Sequence, residues 1–286
     1  MQSKRIAARL VNFLFVLLVG YVVALGVLRL FESHLIYFPN DPGRLDGDWH
    51  PSGLPVEDLW LRASDGVKLH AWWIPADGAT FTFVAFHGNA GNISHRADVY
   101  RFLRETPANV LAVEYRGYGR SDGAPSEAGL YRDADAAYQY LVRTRGIAPR
   151  TVISFGQSLG TAVASHLAAN SEVGGVVLEA PFPSISAVAR RVFWFLPGVQ
   201  FVVAGQFPTS RHLARINAPL LLAHCEQDPV IPPPLEEQVY EEANPPKYVL
   251  RVEGPCHEEA SLFAPTRYRA SLHSFLAAVS STESHN

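Results

Sequence analysis

Cysteine is almost absent from this chain: Cys225 and Cys256 are the only two among 286 residues. Two thiols cannot furnish a four-cysteine zinc site or the bonded lattice of a small secreted scaffold. Charge of a single sign is equally scarce. Lysine and arginine number 24 against 27 aspartates and glutamates, a net charge of -3 with the basic residues isolated. That leaves no electrostatic footprint for nucleic acid. The chain also lacks a phosphate loop, a metal-ligand spacing of His, Cys and carboxylates, and any internal repeat. No metal and no cofactor is therefore expected.

What the chain does have is one long apolar run, Leu10 to Leu28, nineteen residues in which Asn12 is the only strongly polar side chain. As a helix it is long enough to cross ~30 Å of hydrocarbon. Lys4, Arg5 and Arg9 precede it, whereas Arg29 alone follows closely and is offset by Glu32. The excess of positive charge assigns the N-terminus to the cytoplasm and the remainder to the far side of a membrane. Ala24-Leu25-Gly26 offers a small-x-small cleavage site, so a signal peptide is the rival reading. The run exceeds the usual signal length and continues through Val27-Leu28, which favours an uncleaved single-pass anchor.

The most informative motif is Gly156-Gln157-Ser158-Leu159-Gly160. It follows the β-like run Thr151 to Phe155 and precedes a small-residue helical run, the strand, turn and helix context of a nucleophile elbow. A serine hydroxyl is a poor nucleophile at neutral pH; it needs a base, and the base needs a carboxylate to orient it. Downstream, an apolar strand Pro219 to His224 is followed by Asp228-Pro229-Val230-Ile231-Pro232, and Lys247 to Val252 by Glu253-Gly254-Pro255-Cys256-His257. Asp228 and His257 are thus the acid and base candidates, in the order serine, acid, histidine and at strand ends, where open α/β sheets bind ligands.

Rivals exist. Glu179, at the end of Val176-Val177-Leu178-Glu179, and Glu226 are alternative acids. His87 reads as a buried residue fixing a loop, and His224 as a strand residue with local hydrogen bonds. Two backbone N–H groups must face the charge that develops on a carbonyl oxygen. One belongs to Leu159, and Asn89, in the loop His87-Gly88-Asn89-Ala90-Gly91-Asn92, is the candidate for the other. The polar loop Arg116 to Asp122 is assigned no catalytic part.

Together, His87-Gly88-Asn89-Ala90-Gly91-Asn92, Tyr115-Arg116-Gly117-Tyr118-Gly119-Arg120-Ser121-Asp122-Gly123 and the Ser158 pentapeptide resemble the α/β-hydrolase domain-containing family, most of all its small N-terminally anchored branch. The resemblance implies an eight-stranded, mostly parallel sheet, the triad Ser158, Asp228 and His257, and an oxyanion hole from Asn89 and Leu159. The alternation of apolar strands and helical stretches independently requires a mostly parallel sheet. The resulting division is a stub and anchor over residues 1–30, a connector over 31–56 and a hydrolase domain over 57–282.

Within that domain, residues 181–211 break the alternation and carry Phe182, Phe193, Trp194, Phe195, Phe201 and Phe207, with Pro197-Gly198 splitting them into two short helical pieces. A cap over the site is expected there, about half of its aromatics packing on the sheet. An apolar cap favours a small-molecule acyl substrate, cleaved as a carboxylic ester or thioester. Peptide cleavage by the same fold, or a non-catalytic module using the cleft for binding, are the alternatives. No protein partner is required by any feature. Cys225 and Cys256 flank the acid and base loops; they are read as unpaired, partly buried space fillers, a disulfide being the alternative.

Overall fold

Apolar side chains at every second position build both faces of a central sheet. In Phe81–Phe86, Phe83 and Ala85 enter one core cluster while Val84 and Phe86 enter the other, as strand periodicity demands of a strand covered on both sides. The computed structural model describes residues 2–258 and 260–283. It contains strands β1 (Glu57–Arg62), β2 (Lys68–Ile74), β3 (Phe81–Phe86), β4 (Ala108–Val113), β5 (Val152–Gln157), β6 (Gly175–Glu179), β7 (Leu220–Cys225) and β8 (Lys247–Val252). Their order across the single sheet is β1, β2, β4, β3, β5, β6, β7, β8. β2 runs antiparallel to β1 and β4, and the rest are parallel. This is the α/β-hydrolase architecture anticipated above.

The helices are α1 (Gln2–Ile36), α2 (Ala97–Leu103), α3 (Glu127–Gln139), α4 (Leu159–Asn170), α5 (Ile185–Val192), α6 (Thr209–Leu213), α7 (Pro233–Glu242), α8 (Ala260–Phe263) and α9 (Pro265–Glu283). α2 and α9 cover one face through Tyr100, Phe102, Tyr268 and Phe275. α3, α4 and α7 cover the other through Leu130, Val163, Leu167 and Val239. The stretch between β3 and β4 is not one continuous helix. Asn92 caps a 3₁₀ turn by accepting from the Ser94 N–H at 2.9 Å, and α2 begins only at Ala97. α3 likewise passes into a π-helical turn over Tyr140–Thr144.

Two features set the position of the site. α1 does not end at the apolar run; nothing in Arg29 to Ile36 breaks a helix, and the chain turns only before Pro39. Its last turn enters the hydrolase core, where Ile36 and Tyr37 are buried. Residues 4–36 are long and apolar enough to cross a membrane, and the apolar window is unburied by the rest of the protein. The cap is the second feature. α5 leads to the Pro197-Gly198 turn and a 3₁₀ turn at Val199–Phe201, with Gly198 at φ 88°. Phe182 and Phe207 are buried against the sheet, while Trp194, Phe195 and Phe201 are exposed.

Candidate active site

Ser158 stands between β5 and α4 with φ 48° and ψ -115°, a strained backbone that no side chain adopts without compensation. The compensation is local. The Ser158 N–H donates to the Glu179 carbonyl at 2.9 Å, and the flanking glycines allow strand and helix to close around the turn. A Cβ on Gly156 would lie 2.2 Å from the Gly160 carbonyl oxygen, and one on Gly160 would lie 2.1 Å from that of Phe86 on β3. Backbone blocks both positions, so only glycine fits.

The structure brings Ser158, His257 and Asp228 together. His257 Nε2 is 2.9 Å from Ser158 Oγ, and its Nδ1 is 2.6 Å from Asp228 Oδ2. The Asp228 side chain is fully buried. Its Oδ1 accepts the N–H groups of Val230 at 2.7 Å and Ile231 at 2.9 Å, so the turn after Asp228 consumes one carboxylate oxygen and leaves the other for the imidazole. An ionised carboxylate there selects the tautomer with a proton on Nδ1, which makes Nε2 the acceptor for the serine hydroxyl. Glu179, the rival acid, accepts from Gln157 Nε2 at 2.6 Å. Glu226 is exposed.

The loop His87 to Asn92 is set by partners that sequence reading did not identify. His87 is buried, as expected, and its Nε2 lies 3.1 Å from the buried carboxylate of Glu114, immediately after β4. The second Glu114 oxygen accepts the Ile93 N–H at 3.2 Å. The Asn89 carbonyl accepts from the Phe38 N–H and from the Tyr118 hydroxyl, both at 2.9 Å. Asn89, Ser158 and Leu159 line one cavity. Leu159 is the first residue of α4, so its N–H belongs to the set that a helix leaves unpaired. An apolar strand ending in an acidic residue was the one signal for Glu114.

Glu258 joins the two loops. Its carboxylate pairs with Arg96 at 2.6 Å, and its carbonyl accepts from Gln157 Nε2 at 2.8 Å. A Cβ on Gly88 would fall 1.6 Å from Glu258 Oε1. A side chain at Gly88 would therefore have to displace the Glu258 carboxylate, a constraint set by the approach of the histidine loop and not by the backbone angle of Gly88. In the Arg116 loop, the guanidinium of Arg116 bridges buried Asp133 at 2.8 Å and Asp65 of the β1–β2 hairpin at 2.7 Å. Arg116 holds the Asp65 carboxyl down at about 2.

One expectation is overturned. Cys225 and Cys256 are not free: they form a disulfide with Cα atoms 5.4 Å apart. β7 and β8 are adjacent parallel strands in which Cys225 pairs with Val252, and the turn after Val252 carries Cys256 back over the strand end. His224 also departs from expectation. Its Nδ1 lies 3.7 Å from Glu236 on α7, beyond hydrogen-bond range. Burial pushes the Glu236 carboxyl up to about 9, helped by the charge of Asp228. Burial also lowers His224, so the pair is neutral at pH 7.

Above Ser158 lies an apolar cavity of about 340 Å³. The cap contributes Phe182, Val188, Val192 and Val203, and α1 contributes Leu28, Leu35 and Ile36. Glu32 also lines it, but its carboxylate is committed. Oε1 accepts the N–H groups of Ala204 at 2.9 Å and Gly205 at 2.7 Å, and Oε2 pairs with Arg29 at 3.1 Å. Among the described residues no cluster of His, Cys, Asp and Glu is arranged to hold a metal ion.

The family profile described as serine aminopeptidase, S33 matches residues 79–209. The chain is 36% identical to the alpha/beta hydrolase domain-containing protein WAV2 of Arabidopsis thaliana, over 78% of this chain and 80% of that protein. It is 31% identical to the uncharacterized protein YfhR of Escherichia coli K12, over 86% of this chain and 87% of that one. Among solved structures, the Pyrococcus furiosus esterase Pf2001 superposes with a TM-score of 0.69 at 22% identity, covering 85% of this chain and 99% of its own. An alpha-beta hydrolase of Vibrio vulnificus superposes with a TM-score of 0.65 at 25% identity, covering 77% and 80%.

Proposed function

Because the chain belongs to the α/β-hydrolase family, we propose that it is a membrane-anchored serine hydrolase that cleaves carboxylic esters or thioesters of acyl substrates. The observation that carries this reading is the contact series Ser158, His257, Asp228 at 2.9 and 2.6 Å, set at an apolar cavity. Ser158 Oγ attacks the acyl carbonyl while His257 Nε2 takes the hydroxyl proton. The N–H groups of Leu159 and Asn89 receive the oxyanion, and Asp228 holds the imidazole and balances its positive charge. His257 then returns the proton to the leaving alcohol or thiol, and water enters by the same base to release the acid. α1 is the anchor, with its N-terminus cytoplasmic and the hydrolase domain on the other face.

Peptide cleavage is the second reading, favoured by the name of the matching family profile. An aminopeptidase needs an anion for the substrate's terminal ammonium. Glu32, the carboxylate among the residues lining the cavity, already holds two amides and an arginine, and apart from Asn89 and Ser158 the remaining lining is apolar, which supports an acyl chain. The test is labelling with a fluorophosphonate. Wild-type protein reacts and Ser158→Ala does not, and turnover in that variant drops by ~10⁴ to 10⁶. Equal labelling of the two proteins would overturn the assignment. Protease added from the cytoplasmic side leaves the hydrolase domain intact if the orientation is right; digestion from that side reverses it.

A further inference from the structure

The cavity wall supplied by α1 carries more than an anchor needs. A helix that merely tethered an enzyme would be separated from the domain by a spacer. Here the helix that holds the apolar run continues without interruption into the wall beside Ser158. It is also fixed there. Asn89 Nδ2 donates to the Ile36 carbonyl at 3.2 Å, and Glu32 receives two amides from the end of the cap.

The cap follows the helix in the opposite direction, toward the membrane. A Cβ on Gly198 would lie 3.5 Å from the Tyr21 hydroxyl. Tyr21 is inside the run Leu10 to Leu28, about 10 Å of helix short of its end. The Gly198 turn thus lies beside the Tyr21 side chain, at the depth of acyl chains whenever the run spans a bilayer. Its side chains suit that depth. Trp194 is 75% exposed, Phe195 64% and Phe201 84%, and no charged residue occurs from Val192 through Gly205. In water such a patch is a liability, whereas beside a membrane it is an insertion surface.

We propose that the cap tip is immersed in the leaflet from which α1 emerges, that the cavity opens sideways into that leaflet, and that the substrate is a long-chain acyl ester dissolved in the bilayer. This rests on the serine hydrolase reading. Leu28, at the end of the apolar run, and Val192 line the same apolar cavity as Ser158, so a chain entering beside them would reach the nucleophile without its methylenes crossing water. Each methylene kept out of water favours this route over extraction into solution.

The test uses the full chain reconstituted in phosphatidylcholine vesicles, with methylumbelliferyl oleate in the bilayer and methylumbelliferyl butyrate in solution. The leaving group is common to both, so the ratio of the two rates reports access. In the triple variant Trp194→Ser, Phe195→Ser, Phe201→Ser, the oleate-to-butyrate ratio falls by about tenfold or more, the factor expected from losing part of an aromatic contact with hydrocarbon. Trp194→Phe supplies a readout independent of turnover. Phosphatidylcholine with dibrominated acyl chains quenches the wild-type tryptophan emission more than that of Trp194→Phe. Equal quenching means that the tip lies outside the leaflet and overturns the proposal. An unchanged ratio in a protein that fluorophosphonate labels also overturns it while leaving the hydrolase reading intact. Absence of labelling strikes the hydrolase reading instead, and quenching then decides the immersion of the tip by itself.

Discussion

The disulfide beside the base is the feature most open to a quantitative test. Cys225 and Cys256 are 31 residues apart, and the bond encloses α7 and β8. Closing a loop of that length removes about 12 cal/mol/K of chain entropy from the unfolded state, or about 3.7 kcal/mol at 25 °C. Typical domain stabilities are about 5–15 kcal/mol, so a protein without the bond is weakened but still folds. Both cysteines are buried, and alanine is the appropriate replacement because serine would bury two hydroxyls. The double variant Cys225→Ala, Cys256→Ala is expected to lose about 3–4 kcal/mol in denaturant unfolding. Turnover should fall more than substrate affinity, since Cys256 adjoins His257 and the bond ties that residue to the strand that ends beside Asp228. Alkylation of unfolded, unreduced wild-type protein should find no free thiol. Two free thiols, or a double variant within about 1 kcal/mol of wild type, would refute the reasoning, because the loop term alone exceeds that.

Two further tests address groups around the site. In the unfolded chain Glu236 ionises near its ordinary value of 4.5, whereas the fold keeps it protonated to about 9. The folded state therefore binds more protons in between, and this contribution to stability is complete below about pH 4.5 and lost as pH rises through about 9. Glu236→Gln removes the dependence, so its stability relative to wild type should climb over that window; parallel pH profiles of the unfolding midpoint would contradict the burial argument. The glycines divide by what they meet. Gly88→Ala displaces only the end of the Glu258 side chain and should cost about 1–3 kcal/mol, the worth of one charge-assisted hydrogen bond. Gly160→Ala meets the Phe86 carbonyl and should cost at least twice as much. The reverse ranking in denaturant unfolding would mean that the elbow, not the histidine loop, can yield.

Local patterns made much of this legible. Val152 to Phe155 reads as a strand because its residues are apolar and β-prone, and the Ser158 pentapeptide announces its turn by glycine spacing. Asp228 and His257 follow from chain order and strand ends, and the structure sets them within hydrogen-bond distance of one another. Harder to see was anything carried by contacts between distant segments. Glu258 reaches Arg96 across 162 residues and Gln157 across 101, and no periodicity encodes such pairs. The disulfide was misjudged for the same reason: its formation depends on how the turn after β8 folds back, a matter of a few ångströms. The continuation of α1 to Ile36 had a signal, the lack of any breaker before Pro39, which the composition of the apolar run overshadowed. Glu236 had none, since an acid in the first turn of a helix ordinarily faces water.

The long span between nucleophile and base also bears on biosynthesis. Ser158 and His257 are separated by 99 residues, so at about 5–20 residues per second Ser158 leaves the ribosome on the order of 5–20 s before His257. The loop His87 to Asn92 waits as well, because the side chain beside Gly88 belongs to Glu258. If the proposed anchor inserts first, a nascent chain carries the Ser158 hydroxyl without His257 beside it until the eighth strand has joined the sheet. On the proposed reading, chains released early, lacking the last strand, would be held at the membrane and yet chemically silent.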